Sequence, residues 1–160
     1  MLDYIIETGR MYLDGVLIGL CYAGNSTGLD NPDMVNMHNV GPLPPGIYSL
    51  VDIIPFLQAE LEKTADLLVA QQIQQRLIAE KRMGPIVFVL NPDPANEMFD
   101  RSGFRLHWDT PAATFTASDG CIVAVMSILF TRVRNALTAQ PDLKLRVFKS
   151  EADRLAAFAA

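Results

Sequence analysis

The stretch Met11-Tyr12-Leu13-Asp14-Gly15-Val16-Leu17-Ile18-Gly19-Leu20-Cys21-Tyr22-Ala23 sets the fold class of this chain. Two apolar runs flank an Asp-Gly pair, and such a pair readily supplies the left-handed residues of a two-residue hairpin turn. The stretch therefore predicts a short strand over 11–13 turning into a longer one over Val16–Ala23. Working outward, residues 4–7, 47–51, 86–90, 103–108, 122–125 and 143–148 are further short apolar segments bounded by turn-forming residues, and each is expected to be a strand. Residues 24–46 are rich in Gly, Asn and Pro, the chemistry of an ordered loop.

Helical spacing is confined to fewer places. Leu57, Leu61, Ala65, Leu68, Val69, Ile73 and Leu77 recur at helical steps, so one long helix is expected at about 55–82. Pro55 suits its first turn, and Gly84-Pro85 stops it. It reads mainly as a packed wall of the core, with a lid over a cleft as the second reading. Ser127 is placed to cap a helix reaching about Thr138, and residues 151–160 form a short terminal helix. The sum is a mostly β domain with two or three helices, an α+β chain organised as one domain over 1–160.

Half of the 160 residues are apolar, which places the chain among globular proteins. Thirteen basic against 18 acidic residues leave a formal charge of −5, and without a basic patch nucleic acid is not an expected partner. Apolar runs such as residues 122–130 are too short to span a membrane. The first residues lack a basic stretch followed by an apolar one, so no signal peptide is expected, and synthesis in the cytoplasm without a cleaved signal follows. Two His and two Cys far apart match no zinc pattern, and no Gly-rich phosphate loop is present; neither a metal nor a cofactor is expected.

The chemistry concentrates in His107-Trp108-Asp109 and Ser118-Asp119-Gly120-Cys121. A thiol attacks a carbonyl as thiolate, and a neighbouring imidazole generates one. Cys121 is therefore the candidate nucleophile and His107 its base. Gly120 permits a sharp turn that brings amide N–H groups toward a developing oxyanion. Asp109, two residues beyond His107 on the same strand face, either accepts a hydrogen bond from the ring and sets its tautomer or caps a loop. Ser118 either donates to the oxyanion or closes a turn. Cys21 reads as a small buried hydrophobe, with a Cys21–Cys121 bridge as the alternative. Tyr22 and Trp108 either flank the cleft or belong to the core. Arg101 and Arg105 are either carboxylate binders or solvated charges. His38 reads as a surface loop residue.

These residues occur in an order that resembles a known family: Tyr22-Ala23-Gly24-Asn25, Asn31-Pro32, Asn39-Val40-Gly41-Pro42-Leu43-Pro44-Pro45-Gly46-Ile47-Tyr48, Asn96-Glu97-Met98, Arg101-Ser102-Gly103-Phe104, His107-Trp108-Asp109 and Ser118-Asp119-Gly120-Cys121-Ile122. Over about 11–148 the chain is similar to the L,D-transpeptidase-like toxins of the bacterial type VI secretion system (the Tlde effectors), distant relatives of the YkuD-type L,D-transpeptidases. The resemblance implies an L,D-transpeptidase-like β-sandwich or barrel that needs no cofactor. It implies removal or exchange of the terminal D-residue on peptidoglycan tetrapeptide stems, with Cys121 as nucleophile and His107 as base. It further implies that Ser118 and the Gly120 and Cys121 amides line the carbonyl pocket. Arg101, Trp108, Tyr22 and Asn39 fall on its motif positions as substrate-side candidates. It also implies an antibacterial toxin that is secreted and acts in the periplasm of a target bacterium, with a secretion-apparatus component and a cognate immunity protein as partners.

The chain departs from the family pattern at Trp108, where a Gly usually follows the His, and at Asp100. It also lacks a His before Gly120-Cys121, and the 55–82 segment is longer than usual. These departures bear on substrate preference more than on reaction class. Two rivals stand beside this reading. A papain-like or amidase-type hydrolase is disfavoured because such enzymes usually run Cys before His. A catalytically inactive homologue that binds wall peptides or a partner protein draws on Trp108 and the altered loop.

Overall fold

The computed structural model describes residues 1–109 and 118–159. Among these, eight strands close into a barrel: β1 (Leu2–Ile5), β2 (Arg10–Leu13), β3 (Val16–Ala23), β4 (Gly46–Asp52), β5 (Phe88–Pro92), β6 (Arg105–Trp108), β7 (Ile122–Ala124) and β8 (Lys144–Phe148). The order around the barrel is β1-β2-β3-β7-β6-β5-β4-β8, with β8 returning to β1. Pairing is antiparallel except at β1/β8 and β6/β7. Four α-helices decorate it: α1 (Ile53–Lys63), α2 (Leu67–Lys81), α3 (Ile128–Ala139) and α4 (Glu151–Ala159). The architecture is thus a mixed α+β barrel, mostly β as expected, with one helix more than the upper estimate.

The opening hairpin forms as its sequence demands. Leu13 pairs with Val16, and the turn residues Asp14 and Gly15 both take positive φ (48° and 81°). That conformation twists the turn in the same sense as the strands it joins. Strand bounds elsewhere shift by a few residues. The first strand is Leu2–Ile5, followed by a 3₁₀ turn over Ile6–Thr8, and the expected strands at 86–90 and 103–108 resolve to Phe88–Pro92 and Arg105–Trp108. The expected terminal helix is α4, and Ala160 lies outside the described residues.

The barrel interior is filled by Leu2, Tyr4, Met11, Tyr48, Phe88, Leu90, Leu106, Ile122, Leu145 and Val147, with α3 contributing Leu129, Phe130 and Val133. A second, smaller cluster joins Ile53, Ile54, Leu57 and Leu77 of the α1/α2 hairpin to Val87 and Val89. Residues 86–90 read as an unbroken apolar run because this segment is buried on both faces: Phe88 and Leu90 point into the barrel, Val87 and Val89 against the helices.

The single helix expected at 55–82 is two helices. The Asp66 side chain accepts hydrogen bonds from the Leu68 and Val69 amides (2.9 and 3.1 Å), an N-cap that starts a second helix, while Thr64 and Asp66 are extended. The supposed stripe breaks accordingly. Leu57 and Leu77 are buried, but Leu68 is 72% exposed. Ser127 precedes α3 without capping it, since its backbone is already helical and its side chain makes no capping bond.

Candidate active site

The site is built on the parallel pair β6/β7. Leu106 lies opposite Ile122, His107 opposite Val123 and Trp108 opposite Ala124. Side chains alternate across a strand, so Leu106, Trp108, Ile122 and Ala124 share the core face. Arg105, His107 and Val123 take the other face. Cys121, one residue ahead of β7, continues the register beside Arg105, whose backbone N–H and guanidinium both favour its thiolate form. Cys121 and His107 are therefore two positions apart in the register on one sheet face. The two groups also feel the same charges, Arg105 and Glu80.

His107 is buried, and its Nδ1 lies 3.0 Å from the Trp108 carbonyl. A carbonyl only accepts, so Nδ1 carries the proton and Nε2 is left with the lone pair a base requires. Burial pushes the ring pKa down; the Trp108 bond and Asp109 act upward, more weakly. Cys121 is half-buried and free. Burial pushes its thiol up, opposed by the Arg105 N–H and guanidinium and reinforced by Asp119 and Glu80. Both directions favour the neutral pair, thiol and imidazole, at rest. Cys21 is also free and is buried in β3; burial pushes its thiol far up, and no disulfide joins it to Cys121.

Several expected roles change once partners are known. The tautomer of His107 is set by the Trp108 carbonyl, and Asp109 instead accepts from the Tyr22 hydroxyl (3.0 Å) while contributing field at the ring. Tyr22 is fully buried in β3, so it positions Asp109 and does not flank an open cleft. The Ser118 hydroxyl, 1% exposed, donates to the Cys121 carbonyl (2.7 Å) and accepts from the Gly24 and Gly120 amides (3.1 and 3.0 Å). It has no hydrogen left for an oxyanion, and the Gly120 amide is likewise engaged. The turn is a braced support for the nucleophile.

Arg101 is not a free carboxylate binder. Its guanidinium is buried and donates to the carbonyls of Val35, Pro42, Gly41 and Asp119. It ties the 24–46 loop to the cysteine turn. Gly120 has φ 127°, and a Cβ there would lie 2.4 Å from Arg101 Nη2, so only glycine fits between the turn and that guanidinium. Asn39 is exposed, takes positive φ, and offers its carbonyl to Asn25 Nδ2 (2.9 Å). His38 is an exposed loop residue whose Nε2 lies 3.1 Å from the Phe99 carbonyl. Trp108 is half-buried and lines a cavity of about 260 Å³ with Pro85, Ile86, Ile128, Phe130 and the hydroxyl-bearing Ser127 and Thr131. That cavity lies on the core face of β6, and neither His107 nor Cys121 lines it.

Three residues carry more of the site than their sequence context indicated. Asn25 Nδ2 also reaches the Ser118 carbonyl (2.8 Å) and Asp119 Oδ1 (3.2 Å), joining three segments. Arg105 lies across from Cys121 in the strand register, and its guanidinium acts on the thiol together with that of Arg101. Glu80 on α2, 3% exposed, pairs with Arg105 Nη2 at 2.8 Å and Nε at 3.1 Å. The Asn25 signal was its place in the Gly24-Asn25 motif; nothing local marks Glu80.

Among the described residues no group of three His, Cys, Asp or Glu could hold a metal, and no helix is long and apolar enough to cross a membrane. A family model described as the Tlde1 domain matches residues 19–147, from within β3 to within β8, and spans all of the site residues. None of the curated proteins matches the chain.

Proposed function

We propose, from the premise that this chain belongs to the Tlde1 domain family of type VI secretion effectors, that it is a cysteine acyl-transferase acting on peptidoglycan tetrapeptide stems. One observation carries the reading: Cys121 and His107 share a sheet face, with the ring held by Trp108 so that Nε2 is the basic nitrogen. Nε2 takes the thiol proton as sulfur attacks the carbonyl carbon at the diaminopimelate L-centre. The tetrahedral intermediate collapses, and the D-alanine amine leaves with the proton from the imidazolium. A thioester to Cys121 remains. Water or an amine, deprotonated by Nε2, then attacks that thioester and regenerates the thiol. Water gives L,D-carboxypeptidase activity; an amine gives exchange or cross-linking. Starting from a neutral thiol and imidazole, the proton moves during attack, so activity follows deprotonation of His107 on the acid side.

Asp109 and Tyr22 are positioning residues in this scheme, and Ser118, Gly120, Arg101 and Asn25 hold the nucleophile turn. The role follows as an antibacterial toxin acting in the periplasm of a target cell, with a delivery component and an immunity protein as partners. Mass spectrometry of tetrapeptide stems after incubation tests the reaction. Loss of the terminal D-alanine by the wild-type chain and not by Cys121→Ala is expected.

A binding-only homologue is the second reading, favoured by one observation: the Ser118 hydroxyl and Gly120 amide are both engaged internally. Stem binding without cleavage would support it. Cleavage between glycan and stem would instead indicate an amidase.

A further inference from the structure

The α1/α2 hairpin reaches the nucleophile through one ion pair. Glu80, near the end of α2, is buried, and Arg105 Nε and Nη2 close on its carboxylate at 2.8–3.3 Å. The remaining guanidinium arm, Nη1, donates to the Gly103 and Phe104 carbonyls at 2.7 and 3.2 Å. Arg105 is therefore held at both ends, and the register of β6 and β7 sets it across from Cys121. Arg76 adds only a longer, more exposed contact to Glu80 (3.8 Å). A guanidinium with every arm engaged by protein is not arranged to grip a substrate carboxylate. It is arranged to hold a charge in place.

We propose that Arg105 is a cation that stabilises the Cys121 thiolate, and that Glu80 is the positioning residue on α2 that holds its guanidinium on the face of β6 that carries the site. The pair acts as an oriented dipole: at both Cys121 and His107 the influence of Arg105 exceeds that of Glu80. The other charged groups that act on the thiol are Arg101 and Asp119, while His107 lies on the same sheet face with Asp109 acting on its ring. Arg101 is committed to backbone carbonyls, and Asp119 opposes the thiolate. Arg105 is the cation across from Cys121 in the strand register and the one tied to α2.

The proposal rests on the reading of Cys121 as nucleophile, but its test does not use a stem peptide. The full chain is alkylated with iodoacetamide across a pH series, and intact mass reports the rate. Cys21 is buried, so labelling reports Cys121, and Cys121→Ala is the blank. Arg105→Gln is expected to move the midpoint of the rate profile upward by about one pH unit. Glu80→Ala separates positioning from simple charge. Deleting a nearby carboxylate should by itself lower the midpoint, whereas release of the guanidinium to solvent raises it. An upward move is expected, with no further rise when Glu80→Ala is added to Arg105→Gln. Glu80→Gln, which keeps an acceptor for the guanidinium, should not raise the midpoint.

An unchanged midpoint in Arg105→Gln, or a downward move in Glu80→Ala, overturns the proposal. Should Glu80→Ala fail to fold, Glu80→Asp pulls the guanidinium back by one methylene and is expected to give a smaller upward move, whose absence is equally decisive. Stem cleavage that survives Cys121→Ala would remove the nucleophile reading while leaving this charge measurement intact.

Discussion

Two regions meet at Cys121, and each is organised around an arginine. On one side, the 24–46 loop and the cysteine turn hang on Arg101, whose partners are backbone carbonyls. On the other, the outer face of β6 carries Arg105, whose main partner is the carboxylate of Glu80. Carbonyls supply dipoles without net charge, so Arg101 fixes shape and keeps its own charge beside the cysteine turn. A carboxylate supplies a charge and an orientation, so Arg105 shapes the field at the thiol. Within one short segment, the same side chain does structural work in one setting and electrostatic work in the other.

The shared centre should give the largest effect. Cys121→Ala is expected to lower D-alanine release by about four orders of magnitude or more, measured by mass spectrometry of stem products. Activity that persists would place the chemistry elsewhere and dissolve the comparison. Next comes the loop side. Arg101→Ala leaves the Val35, Gly41 and Pro42 carbonyls without their donor, and about 3–5 kcal/mol of stability should be lost in urea unfolding. A loss near zero would mean the guanidinium does not hold the loop.

Gly120→Ala probes the same side more locally. Its positive φ and the Arg101 contact predict a loss of about 2–3 kcal/mol, read as a lower urea midpoint. The acid response belongs to the other region. The folded chain holds the His107 pKa below its ordinary value of 6.5, so the unfolded chain takes up that proton first. The His107 contribution to stability is complete above 6.5 and declines as pH falls from there toward the folded value. His107→Gln should flatten that part of the stability profile, while Arg101 and its carbonyls, which do not titrate there, should leave it unaltered. The smallest effect is expected at the exposed start of α2: Leu68→Gln should change stability by less than about 0.5 kcal/mol, and a larger loss would restore the single-helix stripe.

Local chemistry made much of this legible. Asp14-Gly15 dictates its hairpin because few other pairs accept two positive φ values. The short apolar segments at 103–108 and 122–125, bounded by turn residues, located both strands of the site, and the rarity of His and Cys singled out the pair they carry. Helical periodicity misled at 64–66, because a capping Asp interrupts a spacing that counts only apolar residues. The partners of the two arginines were not legible, since the Val35, Gly41 and Pro42 carbonyls and the Glu80 carboxylate lie far from them along the chain.

What the sequence alone determined is therefore the local menu: which segments extend, which turn, and which side chains carry a thiol and a base. Tertiary structure alone decided the partnerships. Barrel formation sets β6 beside β7 and thereby puts His107 and Cys121 on one sheet face, and the folding back of α2 brings Glu80 to Arg105. The physical reason is that backbone conformation responds to a residue and its near neighbours, whereas charge, burial and hydrogen bonding depend on whatever the fold brings within a few ångströms, however distant along the chain.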